Sequence, residues 1–493
     1  MVLALAAGVA LALVVSTSVT AIHSESSSAQ TASKPNIIYI VTDDMRYDDL
    51  NARYMPKTSS LLADQGMTFK NAFVSTAWCC PSRATTMRGQ YAHNTDVWYI
   101  ANSYNPDPGV PDGGWEGYKG NGHQTDNVAT RLDAAGYRTG LFGKYLNHYG
   151  GSGVPRGWDD WFAFRGGAYY DYYVNDNGTK KHFGTSASAY STDVLSRETQ
   201  QFVGASVAEG NPFFAYVAPN APHHPYPGTV PRHEHDFDGE RAPRLPSFNE
   251  GDVSDKPPWI RSRPRLGFIK TATINKGHED RVESLRSVDD LVGAVVAKLK
   301  SYPGVLDNTY IVFTSDNGWH LGEHRIPGEK NRPYEEDHRV PLVVAGPGIA
   351  AGSTTSKLAL NTDYLPTFMD LAGARTPGYV DGRSLRPVLE GRATTWRTAI
   401  LLEGLGFQSE IPIVERNYSA IRTRTGKYVE YEGGFREAYD LTPGADPYEL
   451  TNAYYSADPT VPLSDLDRRL DELKQCTGTG RTAPSCKAAE NSP

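Results

Sequence analysis

Residues 37–44 read Ile37-Ile38-Tyr39-Ile40-Val41-Thr42-Asp43-Asp44, an apolar run that stops at two acidic residues. A short continuous apolar run is typical of a strand that is buried on both faces of a sheet. The pattern recurs at Tyr310–Phe313, which leads to Asp316 and Asn317 and follows a segment with helical spacing at Asp289–Lys300. Strands that alternate with helices predict an α/β fold with a large, mostly parallel sheet flanked by helices.

Two more apolar runs have the same form and also end at chemically useful side chains. Thr139–Phe142 leads to Lys144, and Phe213–Val217 leads to His223. Because ligands bind beyond the carboxyl ends of parallel strands, we expect the residues after all four runs to meet at one edge of the sheet. The Pro- and Gly-rich segment 225–264 is predicted to be a long loop, which is a usual place for substrate contacts.

The two ends of the chain differ from the middle in their sequence pattern. Met1–Val15 is apolar and is followed by small residues up to Val19-Thr20-Ala21. This pattern predicts a secretory signal peptide rather than a membrane span, which needs ~20 apolar residues.

After about Arg392, Ile421–Val429 and Glu437–Leu441 have the pattern of short antiparallel strands. The predicted organisation is a signal peptide (1–21), a disordered linker (22–34), a catalytic domain (35–392), a small antiparallel α+β C-terminal subdomain (393–475) and a tail with a local disulfide between Cys476 and Cys486 (476–493).

The charge of the chain limits its partners. The chain has 57 acidic and 49 basic residues and a formal net charge of −8 at pH 7. This balance offers no general attraction for nucleic acid or for an anionic membrane surface. An anionic substrate would also be repelled at long range, so any anion site has to be built locally. We therefore expect no nucleic-acid partner and no stable membrane association.

Four side chains at the ends of two predicted strands offer only oxygen atoms as ligands. They are Asp43, Asp44, Asp316 and Asn317. Because this set contains no thiolate and no imidazole, it suits a hard cation, Ca²⁺ or Mg²⁺. One Asp-Asp pair after a strand is more often a turn or a helix cap, but two such groups at strand ends favour a metal site.

The most specific motif in the chain is Cys79-Cys80-Pro81-Ser82-Arg83. Adjacent cysteines form a disulfide only with strain, and no zinc-type spacing surrounds this pair. The pentapeptide resembles the modification signature of sulfatases, Cys-x-Pro-Ser-Arg, in which the first cysteine is oxidised to formylglycine. The alternative is a buried structural cysteine, the common role of an unpaired thiol. A helix predicted over Ser82–Gly89 would present its amino end to an anion bound beside it.

The resemblance to sulfatases covers the chain from Pro35 to Asn452. The stretches that carry it are Gly143–Asn147, Gly157–Trp161, Tyr170–Gly178, Ser287–Val292 and Tyr439–Asn452. Within the family these stretches are most similar to N-acetylglucosamine-6-sulfatases. The resemblance implies calcium as the metal and a sulfated carbohydrate or aryl sulfate as the substrate. It also implies that a formylglycine-generating enzyme converts residue 79.

The resemblance implies roles for individual residues as well. The implied catalytic residues are Cys79, Arg83, His223 and Lys330, the substrate-binding residues are Lys144 and Asn147, and the metal ligands are Asp43, Asp44, Cys79, Asp316 and Asn317. His223 matches the histidine beside the leaving group, where an acid is needed because a sugar alkoxide leaves poorly. Many arylsulfatases have a histidine where this chain has Leu146, so the base of the second step stays open between Asn147 and His148.

Together these features predict a secreted sulfatase that hydrolyses O-sulfate esters of a sugar such as N-acetylglucosamine 6-sulfate. One alternative is an arylsulfatase of broad specificity. Another is a phosphate or phosphonate monoester hydrolase of the same superfamily, alkaline-phosphatase-like in fold, which can also use formylglycine. A rival of a different class is a catalytically silent glycan-binding protein that keeps the anion site but leaves Cys79 unmodified.

Overall fold

The described part of the chain begins just ahead of the first predicted strand. A computed structural model of the protein describes Met1 and residues 34–107, 110–151, 153–224, 231–408, 411–412, 416–457, 459–478 and 485–491. The predicted signal peptide, apart from Met1, and residues 22–33 of the predicted linker lie outside these ranges. Within them, no helix is both long enough and apolar enough to cross a membrane.

Ten strands form one large sheet. In chain order they are β1 (Asn36–Thr42), β2 (Met67–Phe69), β3 (Arg138–Gly143), β4 (Asp160–Phe164), β5 (Tyr172–Asp176), β6 (Thr179–Phe183), β7 (Phe213–Ala218), β8 (Thr309–Ser315), β9 (Leu342–Ala345) and β10 (Ser353–Thr355). Their spatial order is β10-β2-β9-β8-β1-β7-β3-β4-β5-β6. The strands from β8 to β4 are parallel, and β9 and β5 add antiparallel neighbours on either side. The predicted large, mostly parallel sheet is confirmed.

The central strands are buried on both faces, as their continuous apolar sequence predicts. Along β1, Ile37 and Tyr39 pack into the core on one face, whereas Ile38 and Ile40 pack into the core on the other. All four are at most 1% exposed. Burying such a side chain stabilises a fold by roughly 1.5–3 kcal/mol. A shift of β1 by one residue would therefore disrupt both layers at once.

Helices cover both faces of the sheet. The longer ones are α1 (Cys79–Arg88), α2 (Ser191–Glu209), α3 (Phe268–Lys300), α4 (Tyr364–Leu371) and α5 (Leu463–Lys474), and the shorter ones are Pro56–Thr58, Ala92–Thr95, Gly114–Gly120, Val128–Ala134, Pro258–Arg261, Glu335–His338, Arg386–Leu389 and Cys486–Ala489. α1 and α4 pack on one face of the large sheet, and α2 and α3 pack on the other. The result is a three-layer α/β fold.

Two helices begin earlier than their sequence predictions. α3 is predicted only over Asp289–Lys300 but starts at Phe268. Its first half buries polar side chains such as Arg281, so that half lacks the apolar stripe on which the prediction depends. α1 starts at Cys79 instead of Ser82, which places the cysteine within the helix rather than ahead of it.

The C-terminal part of the chain is built on a separate antiparallel sheet. Its strands, in spatial order, are β11 (Ala399–Gly404), β12 (Tyr418–Thr423), β13 (Gly426–Tyr431) and β14 (Arg436–Asp440). α5 packs against this sheet, and a disulfide joins Cys476 to Cys486 beyond it. Smaller strand pairs join Ala72–Phe73 to Ala359–Leu360, Val97–Tyr99 to Asp112–Gly113, and Phe407–Gln408 to Ile411–Pro412. The predicted antiparallel α+β character of this region is confirmed.

His93 links the first part of the chain to the C-terminal sheet. Its Nδ1 lies 2.9 Å from Glu403 Oε2 on β11, and its Nε2 lies 2.9 Å from the Cys476 carbonyl oxygen. Burial would lower the pKa of His93, but the Glu403 carboxylate raises it to about 9. The charged imidazole therefore contributes to the stability of the fold at neutral pH.

We expect the protein to become less stable at alkaline pH, because the ion pair between His93 and Glu403 is lost there. The folded pKa of His93 lies above the ordinary value of 6.5, so the contribution is complete below that pH and is lost as the pH rises through about 9. Between pH 7 and pH 9.5, the unfolding free energy of the wild type should fall by about 2 kcal/mol more than that of His93→Gln. Urea unfolding at both pH values measures this, with the exposed His148→Gln as control. Equal falls in the wild type and His93→Gln would contradict the prediction.

Candidate active site

The residues that follow four adjacent parallel strands meet at one edge of the large sheet. Asp43 and Asp44 follow β1, Lys144 follows β3, His223 follows β7, and Asp316 and Asn317 follow β8. The loops are joined by backbone hydrogen bonds: the Asp43 amide donates to Ala221 O at 3.2 Å, and the Lys144 amide donates to Ala218 O at 2.9 Å. The parallel sheet thus brings together side chains that are far apart in sequence.

Oxygen atoms suited to a cation lie between the ends of β1 and β8. The Asp44 amide donates to Asp316 Oδ1 at 3.2 Å, and Asn317 Nδ2 donates to Asp44 Oδ1 at 2.6 Å. Asp44 Oδ2 and Asn317 Oδ1 are buried, yet no hydrogen bond reaches either atom from the described residues. Because buried acceptors are normally satisfied, these two oxygens mark a position that a cation would fill.

Cys79 faces this oxygen cluster from the first turn of α1. The residue is 1% exposed. Its Sγ donates to Asp43 Oδ1 at 3.4 Å and accepts a hydrogen bond from Lys330 Nζ at 2.7 Å. Single ligand atoms of Cys79, Asp43, Asp44 and His223 all lie within 4.8 Å of one another. The predicted nucleophile, Cys79, and two of the predicted metal ligands, Asp43 and Asp44, therefore share one small volume.

The thiol of Cys79 is a weak nucleophile as it stands. Burial raises its pKa to about 12, and Asp43 adds to the rise in spite of Lys144 and Lys330 nearby. A thiol with this pKa is protonated at neutral pH, whereas the thiolate is the reactive form. The surroundings of residue 79 therefore leave its sulfur unactivated.

Three cations face the carboxylates of the site. Lys144 forms an ion pair with Asp43, Lys330 forms one with Asp44, and Arg83 forms one with Asp316. Burial would raise the pKa of Asp43, but Lys144 and the other cations hold it far below its usual range. Burial, with the charge of Asp43, raises the pKa of Asp316 to about 6. Because the cations nearly neutralise the carboxylates, a divalent metal bound here would leave the site positive and suited to an anion.

His223 lies at the more open side of the cluster. Its Nε2 is 3.7 Å from Asp44 Oδ2, and its side chain is 33% exposed. Burial lowers the pKa of His223, and Asp43 and Asp44 oppose that shift. The neighbouring His224 is exposed. His223 is thus the histidine that both contacts the cluster and borders the solvent.

Asn147 is the predicted site residue that the structure does not join to the others. Its backbone oxygen accepts a hydrogen bond from the Trp115 amide at 2.9 Å. Its Oδ1 is buried and has no hydrogen-bond partner among the described residues. The preceding Leu146 packs in the core. The contacts around Cys79 therefore involve Lys144 and not Asn147.

Arg281 is a supporting residue that sequence reasoning missed. It lies in α3, is fully buried, and donates to the carbonyl oxygens of Asp44 and, at 3.3 Å, of Pro222. It thereby connects the turn that carries Asp44 to the turn that precedes His223. A guanidinium group suits this bridging position because it has five donors in a fixed plane. The feature of the sequence that could have indicated this role is a charged residue directly before the apolar Val282.

An enzyme that cleaves an ester of sulfuric or phosphoric acid needs positively charged side chains that bind the anionic group and a fixed position for a nucleophile. This edge of the sheet provides both. The class of protein that the fold and site define is thus a hydrolase of such esters. The chain belongs to the sulfatase family: the family model for sulfatases matches residues 35–374. A second model, described as N-sulphoglucosamine sulphohydrolase, C-terminal, matches residues 322–476. The chain is therefore a sulfuric ester hydrolase, and the predicted family is confirmed.

Relatives and a solved structure agree with this assignment. The N-acetylglucosamine-6-sulfatase of Capra hircus is 33% identical over 506 residues, which cover 94% of this chain and 86% of that protein. The extracellular sulfatase SULF-1 homolog of Drosophila melanogaster is 36% identical over 76% of this chain, a match that spans 33% of that protein. The structure of BT4656 in complex with its substrate D-glucosamine-2-N,6-O-disulfate has a TM-score of 0.74 and 24% identity, covering 90% of this chain and 97% of that one. The last likeness establishes the fold alone.

Proposed function

We propose that this sulfatase is an extracellular enzyme that removes the 6-O-sulfate of N-acetylglucosamine-type sugars, using bound calcium and a formylglycine made from Cys79. The position of Cys79 carries the proposal. It begins α1 inside a complete Cys-x-Pro-Ser-Arg motif and lies between Asp43 and Lys330. Because its thiol stays protonated there, oxidation of the residue would supply the nucleophile that the sulfur does not.

A hydrated formylglycine supplies two hydroxyl groups on one carbon, one to attack sulfur and one to expel sulfate afterwards. The surrounding side chains prepare the reaction. Lys330 and Lys144 lie beside residue 79, where they would bind sulfate oxygens. Asp43 Oδ1 lies 3.4 Å from Cys79 Sγ, where its carboxylate would orient an attacking hydroxyl by accepting a hydrogen bond from it. Arg83 donates to the Lys144 carbonyl at 2.9 Å and so ties α1 to the loop that carries this lysine.

The carboxylate side of the site fits calcium. Asp43, Asp44, Asp316 and Asn317 offer hard oxygen ligands, and two of these buried oxygens have no hydrogen-bond partner in the described part of the chain. Oxidation of residue 79 would replace sulfur, which suits calcium poorly, with oxygen. Calcium in this position would stabilise negative charge on the sulfate group.

His223 is proposed as the acid that protonates the leaving sugar oxygen. A sugar alkoxide is a poor leaving group and needs a proton as the bond to sulfur breaks. The Nε2 atom of His223 borders the cluster at 3.7 Å from Asp44 Oδ2, and its side chain is 33% exposed, so the imidazole can reach a leaving oxygen at the open side of the site. The Tyr169 hydroxyl donates to the His223 carbonyl oxygen at 2.9 Å, which fixes the backbone that carries the imidazole.

The substrate and the location in this proposal are supported by the relatives. The goat protein is named for the 6-sulfate of N-acetylglucosamine, and the Drosophila protein is named as extracellular. The predicted signal peptide and the disulfide between Cys476 and Cys486 agree with export through an oxidising compartment. A formylglycine-generating enzyme would act on the chain during maturation.

Peptide mass spectrometry of residue 79, combined with ester assays, tests this function. Protein matured with a formylglycine-generating enzyme should carry an aldehyde at residue 79 and hydrolyse N-acetylglucosamine 6-sulfate. Among matched aryl sulfate, phosphate and phosphonate esters, the sulfate should react fastest. Faster reaction of either phosphorus ester would indicate the rival hydrolase. An intact thiol with glycan binding but no turnover would indicate the silent binding protein.

The metal assignment predicts the behaviour of Asp316→Asn. This change removes one charge from the proposed calcium ligands while keeping an acceptor for the buried Arg83. Because a Lewis-acid metal is worth several kcal/mol, we expect activity to fall by about 100-fold or more. Metal analysis should show about one calcium per wild-type chain and much less in the variant. The exposed Asp64→Asn serves as the matched control. A fully active wild type that holds no calcium would refute the assignment.

A further inference from the structure

A histidine and two glutamates from separate parts of the chain meet in the interior, apart from the contacts that surround Cys79. One ring nitrogen of His324 and one carboxylate oxygen each of Glu336 and Glu449 lie within 4.8 Å of one another. His324 is 0% exposed and Glu449 is 1% exposed. We refer to His324, Glu336 and Glu449 as the histidine–glutamate cluster. Imidazole and carboxylate groups are both common ligands of metal ions in proteins.

The imidazole of His324 has one ring nitrogen in use and one that is left over. Its Nδ1 lies 2.7 Å from Oε2 of Glu250, which is buried as well. Its Nε2 is buried and has no hydrogen-bond partner among the described residues. A histidine that binds a metal through one ring nitrogen typically donates its other N–H to a carboxylate or carbonyl group. The contact between Glu250 and His324 has this arrangement.

Glu336 has a buried carboxylate oxygen that its surroundings do not satisfy. Within the described residues no hydrogen bond reaches its Oε2, and its Oε1 accepts a long hydrogen bond of 3.5 Å from Ser247 Oγ. The charge of Lys427 is shared by Glu449 and Glu335, whose Oε1 atoms lie 2.6 and 3.0 Å from its Nζ. A buried carboxylate is costly unless it is paired with a cation or coordinates a metal. A metal ion bound beside Glu336 would remove this cost.

The ligand types of the histidine–glutamate cluster favour zinc over calcium. One imidazole nitrogen and two carboxylate oxygens suit Zn²⁺, which binds such atoms at about 2.0–2.2 Å. Calcium binds oxygen ligands, as the carboxylates near Cys79 offer, and does not favour an imidazole. His320 is the candidate for a fourth ligand. Its ring centroid lies 6.5 Å from that of His324, and its buried Nε2 has no hydrogen-bond partner in the part of the chain that the structure describes.

The histidine–glutamate cluster joins the segment around Lys330 to the C-terminal part of the chain. His324 and Glu336 lie on either side of Lys330, whose Nζ donates to Cys79 Sγ at 2.7 Å. Glu449 instead follows β14 of the C-terminal sheet. Its φ is 55°, a conformation that a residue other than glycine keeps only when its surroundings hold it there. An ion bound by all three residues would fix both ends of the Lys330 segment to the C-terminal sheet.

We propose that the histidine–glutamate cluster binds a structural zinc ion, separate from the calcium proposed near Cys79. This inference does not depend on the modification of residue 79 or on the substrate. Structural zinc contributes directly to the free energy of folding, because the unfolded chain has no preformed site for it. The ion stabilises the contact between the Lys330 segment and the C-terminal sheet, and it takes no part in the chemistry at residue 79.

Metal analysis of the purified protein tests the zinc site. We expect about one zinc per wild-type chain in addition to calcium. His324→Gln and Glu336→Gln should each lower the zinc content by about tenfold or more and leave the calcium content unchanged. His338→Gln is the matched control, because His338 is equally buried in the same segment but both of its ring nitrogens have partners, Val74 O at 2.7 Å and the Tyr418 hydroxyl at 2.6 Å. The control should retain its zinc.

Reconstitution of the wild type tests the same site without a substitution. Protein that is depleted of metal with a chelator and reloaded with calcium alone should melt at least about 3 °C below protein that also receives ZnCl₂. The added ZnCl₂ should leave the melting temperature of His324→Gln unchanged. X-ray absorption at the zinc edge should show nitrogen and oxygen ligands at about 2.0–2.1 Å and no sulfur.

Three results would overturn the zinc site. The first is a wild type that binds no zinc, and the second is a melting temperature that ZnCl₂ does not raise. The third is zinc that is lost from Asp316→Asn but retained by His324→Gln, or that has a sulfur ligand at about 2.3 Å, because the ion would then lie beside Cys79.

Discussion

Replacement of Cys79 by alanine is expected to abolish hydrolysis in protein that was matured with a formylglycine-generating enzyme. Loss of a catalytic nucleophile typically lowers kcat by at least about 10⁴-fold. The side chain of Cys79 is in contact with Asp43 and Lys330, and no other cysteine, serine or threonine hydrogen-bonds to either side chain within the described residues. Turnover of N-acetylglucosamine 6-sulfate and of an aryl sulfate should both be lost, because the nucleophile serves every substrate.

The neighbouring Cys80 provides the matched control. Cys80 lies in α1, is fully buried and packs in the core, so Cys80→Ala should lower stability by about 1 kcal/mol while turnover remains. Cys79→Ser retains one hydroxyl and lacks the second, so it should release the alcohol once and then stop with sulfate attached. Similar losses in Cys80→Ala and Cys79→Ala, with an unmodified thiol at residue 79, would contradict the mechanism.

Replacement of His223 by alanine is expected to slow the hydrolysis of two kinds of substrate, a sugar sulfate and an activated aryl sulfate, by different factors. A nitrophenolate is stable as an anion and needs little protonation, whereas a sugar alkoxide needs a proton almost completely as it leaves. His223→Ala should therefore lower kcat on N-acetylglucosamine 6-sulfate by about 10²–10⁴-fold, the usual contribution of a positioned acid. The loss on a nitrophenyl sulfate should be less than about tenfold.

Two further variants separate the role of His223 from simpler explanations. His224→Ala changes an adjacent but exposed histidine and should show no difference between the substrates. Lys330→Ala should slow hydrolysis of both substrates, because Lys330 lies beside residue 79, where we propose that the sulfate shared by both substrates binds. If His223→Ala slows both substrates by the same factor, His223 binds sulfate or supports the site, and the acid is another residue.

The local sequence pattern was sufficient to predict the centre of this fold and most of the residues that meet at the candidate site. Four apolar runs correspond to β1, β3, β7 and β8, which are adjacent in the sheet. Parallel strands end at the same edge, so a residue's place after a strand predicts where it lies in space. The motif at residues 79–83 indicated the proposed nucleophile for a different reason, because the motif consists of consecutive residues.

Only the tertiary structure decided which side chains make contact. It pairs Lys144 with Asp43 and leaves Asn147 outside these contacts. It brings Arg281 to the carbonyl oxygen of Asp44, 237 residues away. Arg263 and Glu329 meet across 66 residues in the same way. Apolar periodicity reports how one helix or strand faces the core, whereas these polar contacts depend on the packing of several elements and have no fixed spacing along the chain.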